Sequence, residues 1–97
     1  MGLAMKFEWD EDKARKNMAK HGVSFSLAAS FEFHTAMIFE DATEDYGEER
    51  NVGVGFIGNK IHVIVYTMRA GNVRVISLRH ATRQEADRYV ENIENGW

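Results

Sequence analysis

The sequence predicts an α+β fold: an antiparallel β-sheet packed by two N-terminal helices and one C-terminal helix, in the order β-α-α-β-β-β-β-α. Three observations carry this. Residues 50–57 and 73–80 alternate apolar with polar or small residues, whereas Val63-Ile64-Val65-Tyr66 lies in a run, 60–68, that is apolar on both faces, as a central strand requires. Gly58-Asn59 and Gly71-Asn72 separate the three runs with hairpin chemistry. Helix start and stop signals flank the sheet at both ends.

Lys6 to Trp9 is short and alternating, an edge strand. Asp10 reads as an N-cap, with Glu11 and Asp12 in the first turn where the helix dipole favours acids. Trp9 stands where a staple onto Ala14 can form. Glu11–Arg15 and Asp12–Lys16 are spaced i, i+4, and Ala14 and Met18 supply the apolar stripe. Lys20-His21-Gly22 closes this helix, with cations in the last turn and glycine just beyond. Ser24 caps a second helix running to about Phe33, and the short Gly22-Val23 link makes the pair an αα-hairpin. Thr35 to Phe39 is a strand, and residues 40–49 form an acidic loop. After the three-strand meander, Thr82-Arg83-Gln84-Glu85 is a capping box. It opens a final helix with Ala86, Tyr89, Val90, Ile93 and Trp97 on its apolar side.

The chain has 97 residues and no linker, repeat or low-complexity tract, so residues 1–97 read as one domain. A sheet apolar on both faces with only three helices leaves surface for a partner to cover. Cysteine is absent, which excludes disulfides, thiolate metal sites and thiol catalysis and fits a reducing cytoplasm. No run approaches the ~18 apolar residues of a membrane helix, and no signal peptide is legible. Met1 to Ala4 reads as an extension ahead of a natural start at Met5, and Lys6 spoils the myristoylation pattern that Met1-Gly2 suggests.

The formal net charge of −3 argues against a DNA-coating protein. The charge is uneven, however. Residues 1–59 carry 6 basic and 11 acidic side chains, whereas 60–97 carry 6 basic and 4 acidic ones. The stretch 60–84 holds Lys60, Arg69, Arg74, Arg79 and Arg83 with no acid, which suits either a polyanion-binding face or a solvated strand surface. Arg74 and Arg79 are an odd number of residues apart, so strict alternation sends them to opposite faces of their strand. Arg83 sits in the first turn of a helix, where its charge opposes the dipole, favouring a functional duty. His21 is either a proton donor or acceptor near neutral pH or a cation at a helix C-terminus. Gly53-Val54-Gly55-Phe56-Ile57-Gly58 matches G-x-G-x-x-G, but a strand follows it where a dinucleotide site needs a helix. The glycines instead fit a strand that something approaches closely. Asp41, Asp45 and Gly47 are wrongly spaced for a calcium loop, and the histidines at 21, 34, 62 and 80 for a zinc triad, so no metal or cofactor is expected.

Phe7-Glu8-Trp9-Asp10, Lys13, Asn17, Lys20-His21-Gly22-Val23-Ser24-Phe25 and Ala28 together resemble the opening of BrnT-type toxins. Glu49-Arg50, Val65-Tyr66-Thr67, Arg74-Val75-Ile76-Ser77-Leu78-Arg79, Ala81-Thr82-Arg83-Gln84-Glu85 and Tyr89 resemble the later pieces of that family, with Leu78 in place of its usual small residue. The resemblance covers residues 6–89. It implies a RelE-like fold and the toxin half of a type II toxin–antitoxin pair, a ribonuclease that stops translation. It further implies a BrnA-type antitoxin that neutralises the toxin, in a hetero-oligomer expected as two copies of each, and that supplies the contacts to operator DNA. Metal-independent RNA cleavage needs proton transfer at the 2′-OH and 5′-oxygen and a cation for the charged phosphorane. Lys20, His21, Arg50 and Arg79 are the expected catalytic residues on this reading, and Lys13, Arg74 and Arg83 the expected RNA contacts. The alternatives are a toxin fold without activity, or a small nucleic-acid-binding module.

Overall fold

The structure is a computed structural model that describes residues 5–41 and 47–95. The proposed N-terminal extension, the middle of the acidic loop and Trp97 therefore lie outside the described residues. Strand β1 spans Phe7–Glu8, helix α1 Glu11–His21, and strands β2 to β5 span Met37–Glu40, Asn51–Ile57, Lys60–Arg69 and Asn72–His80. Helix α2 spans Arg83–Asn95. The five-stranded sheet runs β1-β5-β4-β3-β2. Its pairs are antiparallel except β1 with β5, which is parallel, so the sheet is mixed rather than wholly antiparallel.

The second helix expected after Ser24 is also corrected. Residues Phe25–Ser30 form a 3₁₀ helix, and Phe33–Thr35 a further 3₁₀ turn. Phe25, Ala28 and Phe31 are buried three apart, a spacing that serves a 3.0-residue turn as well as a 3.6-residue one. Ser24 caps the segment as expected, its hydroxyl accepting from the Ser26 amide at 3.2 Å. In α1 the buried position is Asn17, not Met18, which is 46% exposed. Arg15 pairs with Asp12 one turn back, in place of the i, i+4 pairs. Trp9 packs edge-on against Phe25 at 6.1 Å. Gly22 takes the left-handed conformation (φ 70°) and returns its amide to Met18, closing the helix.

The sheet separates two apolar layers. On one side Val23, Phe25, Ala28 and Phe31 pack on Ile64, Tyr66, Val73, Val75 and Leu78, with α1 at the margin. On the other, Tyr89 of α2 packs with Val54 and Val63. The Tyr89 hydroxyl donates to the Thr35 carbonyl at 2.8 Å and its ring meets Phe56 edge-on at 5.7 Å. Gly53 and Gly55 sit where Phe31 and Ala36 cross the sheet. A Cβ on Gly55 would lie 3.0 Å from the Ala36 Cβ and 3.1 Å from the Phe31 ring, so close approach accounts for the glycine pattern.

Strand β5 carries one irregularity and one unusual edge contact. Val65 lies opposite Ser77 and Tyr66 opposite Val75, which leaves Ile76 as an inserted residue, a β-bulge. Beyond the two-residue β1, the outer edge of β5 is met by a side chain. The Asn17 amide donates to the Leu78 carbonyl at 2.7 Å, and the Leu78 amide donates back to the Asn17 oxygen at 3.2 Å. Asn17 also donates to the Val23 carbonyl at 3.1 Å, tying α1, the following loop and the sheet together.

Candidate functional site

The bulge decides where the arginines stand. Thr67 pairs with Arg74 and Val63 with Arg79, and residues 63, 65 and 67 share one face of β4. Arg74 and Arg79 therefore project from the same side, the one that α2 covers in part. This corrects the expectation of opposite faces: the inserted Ile76 restores a common parity. Arg50, one residue ahead of β3, falls on that side by continuing the alternation of Val52 and Val54.

Arg79 grips Glu85 with both terminal nitrogens, at 2.7 and 2.8 Å. Glu85 is also the acid of the capping box: it accepts from the Thr82 amide at 2.9 Å, while its own amide donates to the Thr82 hydroxyl at 3.1 Å. Glu85 is held at a pKa of about 2, chiefly by the Arg79 hydrogen bonds. A carboxylate so acidic is a poor proton acceptor near neutrality, so its work is to fix a guanidinium. Arg79 is thus a cation of set position, itself held more firmly protonated by Glu85. At the other end of β5, Arg74 donates to Glu8 at 2.9 Å, and Asn72 donates to the same carboxylate at 3.2 Å.

A second group lies along α1. Lys13, Lys16, Asn17, Lys20 and His21 line a cleft against Ile76 and Ser77, with no carboxylate in the lining. The i, i+3, i+4, i+7 and i+8 spacing from Lys13 puts them on one side of the helix. His21 is half-buried, and its pKa lies below the ordinary histidine value. Burial is the main cause, and the charges of Lys20 and Arg79 add to it. The imidazole is therefore neutral near pH 7 and able to accept a proton.

Of the residues expected from sequence, the fold brings Lys20, His21 and Arg79 to one corner, with Lys13 a turn or two along α1. Arg50 and Arg74 share the sheet face but stand at its other end, about 15 Å along β5 at ~3.3 Å per residue. Arg83 is 94% exposed on the first turn of α2, with Asp87 3.9 Å away, and joins neither group. Sequence reasoning missed Glu85 as the anchor of Arg79, and Lys16 and Ser77 in the cleft. Lys16 was discoverable from its spacing to Lys13 and Lys20; Ser77 required the bulge.

The profile of the ribonuclease toxin BrnT of type II toxin–antitoxin systems matches residues 9–85, which is most of the sequence. The chain belongs to the BrnT family. The 1.1 Å crystal structure of the Brucella abortus ribonuclease toxin BrnT is similar to it, with a TM-score of 0.66 at 29% identity over 81% of this chain and 99% of that one. No curated protein matches the sequence. Membership of the BrnT family brings ribonuclease toxin function and an antitoxin partner in general terms. Among the described residues of this BrnT chain, no helix is long and apolar enough to cross a membrane.

Proposed function

We propose that the chain is a metal-independent endoribonuclease of RelE-like fold, a single-domain toxin that cuts RNA in the cytoplasm and thereby stops translation. The observation that carries this reading is the carboxylate-free cleft of Lys13, Lys16, Lys20 and His21 along β5, the same strand on which Glu85 holds the Arg79 guanidinium in place, close enough for the Arg79 charge to act on His21. His21 accepts the 2′-OH proton as the 2′-oxygen attacks phosphorus, and the P–O5′ bond breaks. Arg79 faces the charge that builds on the phosphorane oxygens. The 5′-oxygen leaves with a proton from Lys20 or from the newly protonated His21. Lys13 along α1, and Arg50 and Arg74 along the sheet face, hold the flanking phosphates. Arg83, on the outer turn of α2, contributes at most a distal contact.

A BrnA-type antitoxin, in a complex of two copies of each protein, neutralises the toxin and makes the operator DNA contacts. The net charge of −3 supports that division.

The test uses antitoxin-free protein and a defined RNA in excess chelator. Cleavage leaving a 2′,3′-cyclic phosphate is expected, and His21→Gln should slow it by roughly 10²–10⁴-fold, the usual worth of general acid–base catalysis. Cleavage that stops in EDTA and returns with magnesium overturns the metal-free mechanism. RNA binding without cleavage would establish an inactive or purely binding protein instead.

A further inference from the structure

Strand β2 ends the sheet opposite β1, and no described strand pairs with its outer edge. Such an edge offers a row of backbone donors and acceptors, and proteins usually guard it with charges or a covering segment. Here Ile38 and Phe39 are instead 44% and 49% exposed. Met37, Phe39 and Val54 form the apolar floor of a groove beside this edge, bounded by Glu85 and Arg88 of α2. Glu40 closes β2 on the face opposite Met37 and Phe39, and Glu49 lies two residues ahead of β3, both exposed, while Arg88 lines the groove itself.

We propose that the β2 edge and this groove receive an extended segment of the protein antitoxin, added to the sheet as a further strand. The segment carries apolar side chains at alternate positions, one seated between Met37 and Phe39, and Lys or Arg beside Glu40 and Glu49. Exposed Glu40 at the end of the edge suits a basic residue of the incoming segment. It disfavours a second copy of this chain, which brings the same acid and a net charge of −3. Strand addition supplies affinity through the main chain and specificity through the alternating pockets. Because Glu85 borders the groove and also holds Arg79, the docked segment rests against the residue that positions the guanidinium.

The inference rests on the toxin–antitoxin reading, but its readout is binding, not cleavage. The protein is co-expressed and purified with the antitoxin encoded beside it, and hydrogen exchange of the complex is compared with that of the free chain. Protection of the amides of residues 37–40 is expected. Phe39→Lys and, independently, Ile38→Lys should weaken the complex at least tenfold while the free variants keep their melting temperature and cleave RNA as before. Glu40→Lys with Glu49→Lys should weaken it more at low salt than at high. Protection confined to α1 and the His21 corner, or variants that bind normally, would overturn the proposal. So would a free chain that is dimeric in light scattering and made monomeric by Phe39→Lys. RNA cleavage that fails while β2 protection persists would count against the catalytic reading alone.

Discussion

Replacing Asn17 by alanine strips the partner from both the Leu78 N–H and the Leu78 carbonyl and leaves them buried. An unsatisfied buried donor and acceptor cost about 2–4 kcal/mol together. Urea denaturation of Asn17→Ala should show that loss, and a change under ~0.5 kcal/mol, typical of surface sites, would mean that the contact is ornamental. Arg79 carries a double duty that the sequence did not announce. It is expected to face phosphate, yet it also secures the capping box of α2, so Arg79→Ala should lower stability as well as activity. The pair has a pH signature. Glu85 is held at about 2 in the folded chain against an ordinary 4.5, so its contribution is complete above about pH 4.5 and is lost as pH falls towards 2. Both side chains are about a third exposed, and solvent screening brings the effect to about 1 kcal/mol. Stability measured from pH 6 to 2 should fall less steeply in Glu85→Gln.

At the level of elements, the sheet tolerates the 3₁₀ segment only because Gly53 and Gly55 leave room for it. Gly55→Ala forces the Ala36 and Phe31 contacts apart and should cost about 1–3 kcal/mol, more than the ~0.4–1 kcal/mol gained from a stiffer unfolded chain. A thermal scan in which Gly55→Ala melts at or above the parent would show that the segment yields freely. The local code was readable wherever a residue's own backbone preference sets the structure. Gly22 at the end of α1, Gly58 in its turn and the Thr82–Glu85 box all stand where their chemistry put them. It was not readable where packing decides. Phe25, Ala28 and Phe31 fit two helical periods, and only the sheet beneath selects the tighter one. The Ile76 bulge leaves a single trace in sequence: Val73, Val75 and Leu78 reach the same core although alternation should part Leu78 from the other two. That trace is also why Arg74 and Arg79 could not be placed on one face beforehand. Lys20 and His21, by contrast, stood out by motif, and the structure brings them to Arg79 through the packing of α1 along β5.

For the whole molecule, neutral pH is where charge and burial agree. His62 is 3% exposed on β4, its ring 4.5 Å from that of His80 across the strand pair. Burial, with the charges of His80 and Lys60, pushes its pKa below 6.5 against a backbone hydrogen bond to Lys60 that raises it. The unfolded chain then takes up a proton before the folded one does, so stability should decline as pH drops below about 6.5. His21 adds to the decline with the same sign. Guanidinium titrations at pH 7.5 and 5.5 should show the difference, and His62→Phe should shrink it; equal midpoints for the parent chain would refute the linkage. The Asn17 contact has a wider consequence. In the language of polymerisation, a sheet with two reactive ends propagates, whereas one with a single reactive end can only be terminated. Asn17 and the two-residue β1 quench one end, and β2 keeps the other live. Under the docking proposed above each chain is monofunctional: joining through its strands ends after one addition, and the fold does not template a growing fibre.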